Sequence, residues 1–309
     1  MIAVLLQTLP FFALIALGYG AAKSGFFGEE ATAYLTKFVF YFALSAMLIR
    51  FALNLSLAEV FDWSIVFAYL TASFLVYAIA TIVALARKRG LQEAAVEAQC
   101  AVIGNLGFLG IPLLLLLFGE QAIPGLMFVL VLDLVVFSSL IVILITGSRD
   151  GRVSVGVLGT VAKGLVKNPM IVSIVVGLVW SGLAWPVPAP VMTFLDVLGA
   201  AATPCALFVI GASLASNSAE RLSVAVWLSS LKLFVHPAAV AVAALLIFSV
   251  DPFTAGVMIA ASALPVAGNV FILAQSYGVA PMRVSASILV STIISVVSFS
   301  AVIAWVQSL

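Results

Sequence analysis

A chain of 309 residues that is 65% hydrophobic and 8% charged, with a mean hydropathy of +1.32, cannot fold as a water-soluble domain. Soluble domains carry roughly 45–50% apolar and about 25% charged residues, so the bilayer is the solvent and the fold class is an all-α integral membrane protein. A net charge of +1, with no basic cluster larger than Arg87-Lys88-Arg89, gives no footprint for nucleic acid; Cys100 and Cys205 lie inside apolar segments and read as packing residues, not as a disulfide or a metal site.

Apolar stretches long enough to span, about 17–25 residues each, number five in the first half, at 2–22, 31–53, 63–86, 98–118 and 122–146. The first has no basic residue ahead of it, so it reads as a retained helix rather than a secretory signal. A polar stretch, Gly147–Lys167, follows as the central connection. Five more spans fall at 168–185, 191–215, 223–249, 254–277 and 284–307. The division is therefore 1–146, a short loop at 147–167, and 168–309.

Lys and Arg are distributed unevenly between the two sets of connections. Lys23, Arg87, Lys88, Arg89, Arg149, Arg152, Lys163, Lys167, Arg221 and Arg283 fall in or beside those after spans 1, 3, 5, 7 and 9. The opposite set has Arg50 near it and collects Glu59, Asp62, Glu120 and Asp251. Positive charge marks the cytoplasmic face, so both termini are expected on the non-cytoplasmic side of a cytoplasmic (inner) membrane.

The second half reads as a copy of the first. An offset of 159 carries Pro10 to Pro169, Gly18 to Gly177, Ile49 to Phe208 and Ala52 to Gly211. Because each half has an odd number of spans, the copies must be inverted. Inverted repeats are the architecture of many secondary transporters, with the binding site near the midplane at the repeat interface.

Two corresponding spans are interrupted. Span 4 reads Gly104-Asn105-Leu106-Gly107 and reaches Pro112; span 9 reads Leu264-Pro265-Val266-Ala267-Gly268-Asn269. Proline removes a backbone donor and glycine lets the chain leave helical geometry. The freed backbone groups must line a cavity or be buried in protein, and half-helix ends offer partial charges to a ligand. Asn105, Gly107, Pro112, Pro265, Gly268 and Asn269 are thus the candidate substrate-binding residues, suited to a carboxylate.

The stretches Asn105–Pro112, Lys167-Asn168-Pro169 with Gly177, Ala202–Leu214, Lys232–Pro237 and Leu264–Tyr277 resemble the auxin efflux carrier family, which includes bacterial malonate and malate permeases. The resemblance implies the fold of the bile acid:sodium symporters: ten transmembrane helices as two inverted five-helix repeats, with broken helices 4 and 9 crossing. It also implies a scaffold from helices 1, 2, 6 and 7, a transport domain from helices 3–5 and 8–10, a homodimer through the scaffold, and an elevator-type movement. Ser45 stands where family members commonly have proline in helix 2 and joins the candidate site.

Asp133 lies mid-span in span 5, while Lys232 and His236 lie one turn apart in span 8, so an Asp133–Lys232 pair, structural or proton-linked, is expected. Arg50 and Asp196, nearer helix ends, are expected to snorkel or cap. The function expected is carriage of a small organic anion, a mono- or dicarboxylate, with no cofactor and with the proton as coupling ion; sodium is the alternative. An intramembrane enzyme would want paired aspartates, a metal motif or a Ser-His pair at depth, and a non-transporting receptor is a third possibility.

Overall fold

The computed structural model describes residues 2–55, 62–150, 155–215 and 222–309; Glu59, Arg152 and Arg221 lie outside the described residues. These residues form thirteen helices. The first five are α1 (Ile2–Lys23), α2 (Glu29–Leu53), α3 (Trp63–Ala86), α4 (Leu91–Val102) and α5 (Leu106–Phe118). Next come α6 (Glu120–Arg149), α7 (Val155–Lys167), α8 (Pro169–Gly182) and α9 (Ala189–Ala215). The last four are α10 (Leu222–Ile247), α11 (Pro252–Ser262), α12 (Gly268–Tyr277) and α13 (Pro281–Val306). No strand is present among the described residues, only one isolated antiparallel bridge, Gly104 with Val266.

Six helices (α2, α3, α6, α9, α10 and α13) are long and apolar enough to cross a membrane. The bent pair α7–α8, turned by 70°, makes a seventh candidate, and Leu9–Lys23, Leu106–Phe118 and Pro252–Ser262 are shorter apolar helices. The expected spans 4 and 9 are the reason two of these are short: each is divided into two half-helices, α4–α5 and α11–α12. The polar Gly147–Lys167 connection is not an irregular loop. Its described part carries the end of α6 and the helix α7, which has no proline inside it and stops just before Asn168-Pro169. A residue preceding proline is pushed out of helical geometry, and Asn168 then caps α8 through its side-chain oxygen, 3.0 Å from the Met170 amide.

Small residues let the backbones of four helices approach closely, as bilayer packing requires. A Cβ on Gly18 of α1 would stand 2.0 Å from the Phe208 carbonyl oxygen of α9, and one on Gly211 would stand 1.8 Å from the Ile15 carbonyl oxygen of α1. On the other side, a Cβ on Gly177 of α8 would meet Ala52 at 2.5 Å and the Ile49 carbonyl oxygen at 2.9 Å, both in α2. The same offset of 159 exchanges these contacts: Gly18 on Phe208 becomes Gly177 on Ile49. In α2, Ser45 sits where the helix widens by one residue over Val39–Ala43, and its hydroxyl donates to the Phe40 carbonyl at 3.3 Å.

These contacts make Gly18 and Gly211 intolerant of any side chain. Gly18→Ala and Gly211→Ala should each cost at least about 1–3 kcal/mol, because the obstructing atoms are backbone and cannot rotate away. Gly20→Ala, with open space around the new methyl, should leave the thermal midpoint in detergent unchanged. Equal midpoints for all three variants would show that the α1–α9 contact is not close.

Candidate functional site

The two breaks meet. Helix α4 ends at Val102, Ile103 turns extended, and Asn105 leads into the next half-helix. On the other side α11 ends at Ser262, Pro265 interrupts the chain, and extended Ala267 leads into α12. The Asn105 amide donates to the Pro265 carbonyl at 2.8 Å, and the Ala267 amide donates to the Ile103 carbonyl at 3.1 Å. Between them Gly104 lies opposite Val266, whose own amide donates to Ser291 Oγ of α13 at 3.0 Å. The Asn105 carbonyl accepts from the amides of Leu109 and Gly110, at 3.1 and 2.9 Å, and so starts α5. Unwound backbone at this depth is tolerated because each of these groups finds a protein partner.

One side-chain atom at the crossing does not: Oδ1 of Asn269, in the first turn of α12, is buried without a hydrogen-bond partner among the described residues. An acceptor left unpaired at depth is costly, so it is a group that a donor on a ligand would satisfy. Asn105, 6% exposed, stands at the other break. Gly268 opens onto free space, with nothing within 4 Å of a Cβ placed there. A Cβ on Gly107 would meet the Met170 methyl at 2.7 Å, so α8 touches the break there. Pro265 contributes its carbonyl to the pairing; Pro112 is buried early in the second half-helix and takes no part in it. Ser45, with its hydroxyl bonded to its own helix, is not brought to the pairing.

Beside the crossing runs a buried polar chain. Asp133 and Lys232 each sit in a single widened turn, Asp133–Phe137 in α6 and Leu231–Val235 in α10, a feature frequent at functional sites. They do not form the expected direct pair: no contact within 4.0 Å joins Lys232 to any carboxylate among the described residues. Asp133 Oδ1 instead accepts from the Tyr69 hydroxyl at 2.7 Å. Lys232, fully buried, donates to the Ser262 carbonyl and lies 3.3 Å from His236 Nδ1, while His236 Nε2 lies 2.9 Å from Ser73 Oγ. Tyr69 and Ser73, one turn apart on α3, are partners that the sequence reading missed; their signal is polar side chains at i and i+4 on an apolar helix.

A second buried cluster also escaped it. Arg283, at the start of α13, donates to Glu97 Oε1 at 2.6 Å and to Glu93 Oε2 at 3.1 and 3.2 Å, and Arg87 closes on the other Glu97 oxygen. Glu93 and Glu97 at i,i+4 on α4 were the available sign. Arg50 neither caps nor snorkels alone: its Nε lies 2.6 Å from Asp196, and Nη2 lies 3.5 Å from Glu120. Among the described residues no group of three or more His, Cys, Asp or Glu could hold a metal ion. A separate apolar cavity of about 500 Å³, lined by residues including Leu233, Pro237, Leu245 and Trp305, carries no polar convergence.

A multi-pass helical protein with a broken-helix crossing has the form of a membrane transporter, and the two comparisons with known proteins point to a transporter, not an enzyme. The family model described as "Membrane transport protein" matches residues 3–303, and the chain belongs to that family, that of the auxin efflux carriers. A relative from Rhizobium meliloti (strain 1021), named "Putative malonate transporter", is 29% identical over 304 residues, which cover 97% of this chain and 95% of the relative.

Ser291 holds the centre of the crossing through a single hydroxyl. Ser291→Ala strands the Val266 amide and should cost about 1–3 kcal/mol of stability, read as a lowered thermal midpoint. Ser276→Ala, which loses an exposed bond to its own helix, is the neutral comparison.

Proposed function

We propose that the chain is a secondary active transporter of a small organic anion, a mono- or dicarboxylate such as malonate, malate or an auxin-like acid. The observation that carries this reading is the pairing of the two breaks, which sets Asn105 and Asn269 at the starts of the half-helices that follow them. An amide N–H donates to a carboxylate oxygen, and the half-helix N-termini that follow each break, at Leu106 and Gly268, add positive partial charge. The name of the Rhizobium relative supports a dicarboxylate.

The architecture proposed is ten spans in two inverted five-helix repeats. It is supported by the exchange of the Gly18–Phe208 and Gly177–Ile49 contacts under one offset and by the reciprocal bonds at the crossing. The scaffold is α1, α2, α8 and α9; the transport domain comprises α3–α6 and α10–α13. Substrate is carried by elevator movement of that domain against the scaffold. Two scaffolds meet in a homodimer, and both termini lie on the non-cytoplasmic side of the inner membrane. The proton is the proposed coupling ion, with Asp133 as the group that takes it up, since Asp133 is buried, bonded to the Tyr69 hydroxyl and without a close ion pair among the described residues.

Reconstituted protein should take up labelled malonate or malate into proteoliposomes, faster with a pH gradient than without. Asn105→Ala and Asn269→Ala should each weaken binding by about 10–100-fold, the worth of one hydrogen bond to a charged group, while the protein stays folded. Native affinity in both variants would remove the site assignment. Asp133→Asn should give uptake that no longer responds to pH, whereas an unchanged pH profile in a folded variant would make Asp133 structural.

A further inference from the structure

Lys232 poses a question that anion transport does not answer. A lysine is almost never fully buried without a counter-charge, yet this one is completely enclosed and has no carboxylate within 4.0 Å among the described residues. What surrounds its ammonium is the ends of helices. It donates to the carbonyl of Ser262, the last residue of α11. A Cβ on Gly104, two residues past the end of α4, would lie 3.2 Å from Nζ and 3.3 Å from the Ala261 carbonyl oxygen. The ammonium thus sits on the C-terminal end of α11, whose orphan carbonyls are worth about half a negative charge, with the chain just past the end of α4 beside it. The neighbouring titratable groups make other bonds: Asp133 with Tyr69, and His236 with Ser73 and Lys232.

We propose that Lys232 is a tethered monovalent cation, occupying the place at the C-terminal end of α11, beside Gly104, that a free alkali cation would otherwise fill. The crossing then has two electrical sides: N-termini and asparagines open to an anion, and a C-terminus already neutralised by the chain itself. Gly104 has no side chain because the ammonium needs that space. The inference deepens the transport reading, since it removes the need for a sodium ion in the carrier.

The test measures stability, so it is independent of whether any acid is carried. The thermal midpoint of the purified full chain should be the same in sodium chloride and in choline chloride at equal ionic strength. Lys232→Ala, which vacates the space, should melt lower in choline and recover by about 2–4 °C in sodium or methylammonium chloride. Lys232→Met, which fills the space without charge, should not recover. Lys232→Ser serves in the same way should the alanine variant not fold. A wild-type protein stabilised by sodium over choline, or vacated variants indifferent to every cation, would overturn the proposal. Failure of malonate uptake with these cation effects intact would count against the transport reading alone.

Discussion

Two backbone hydrogen bonds, Asn105 to Pro265 and Ala267 to Ile103, are the constraint on which the rest of the interior depends. A helix broken inside a bilayer exposes amides and carbonyls that lipid cannot satisfy. Each break in this protein supplies what the other lacks, and Ser291 of α13 takes the amide left between them. The residue types follow from that arrangement. Gly104 lets Lys232 approach, Pro265 offers a carbonyl without an amide that would need a partner of its own, and the stretch after each break restarts a helix at once.

Charge is then placed according to the helix ends. Lys232 faces the negative end of α11 beside Gly104, whereas Asn105 and Asn269 stand at the positive ends of the half-helices that follow. Asp133 forms no ion pair with Lys232 within 4.0 Å among the described residues and is bonded to Tyr69. Farther from the crossing, Arg283 at the start of α13 bonds both Glu93 and Glu97 of α4, and Arg87 takes the other Glu97 oxygen, so each of the Arg283 and Glu97 charges has two partners. Helix α4 is thus held at the crossing and again at this clamp.

Much of this was legible in the sequence because it is written in residue types with few other uses. The glycine, asparagine and proline runs marked both breaks, and the glycines paired by the offset of 159 proved to be those at the close helix contacts. The partners of charged groups were not legible. Lys232 ends on a backbone carbonyl, Ser262, that no side-chain pattern announces, and Asp133 pairs with a tyrosine 64 residues away rather than with the cation that complementarity suggested. Arg283, by composition a connection residue, is drawn inside by two glutamates on a helix distant in sequence. The helix α7 was hidden because its amphipathic residues make a weak apolar signal in an otherwise apolar chain.

The account centres on an anion bound between Asn105 and Asn269. Its most direct test is a structure determined with bromomalonate, whose bromine can be located independently of the protein. The account predicts one bromine site at the crossing, with carboxylate oxygens within hydrogen-bond distance of both carboxamides. A bromine located elsewhere, for example in the apolar cavity beside Leu233 and Trp305, with the crossing empty, would contradict it.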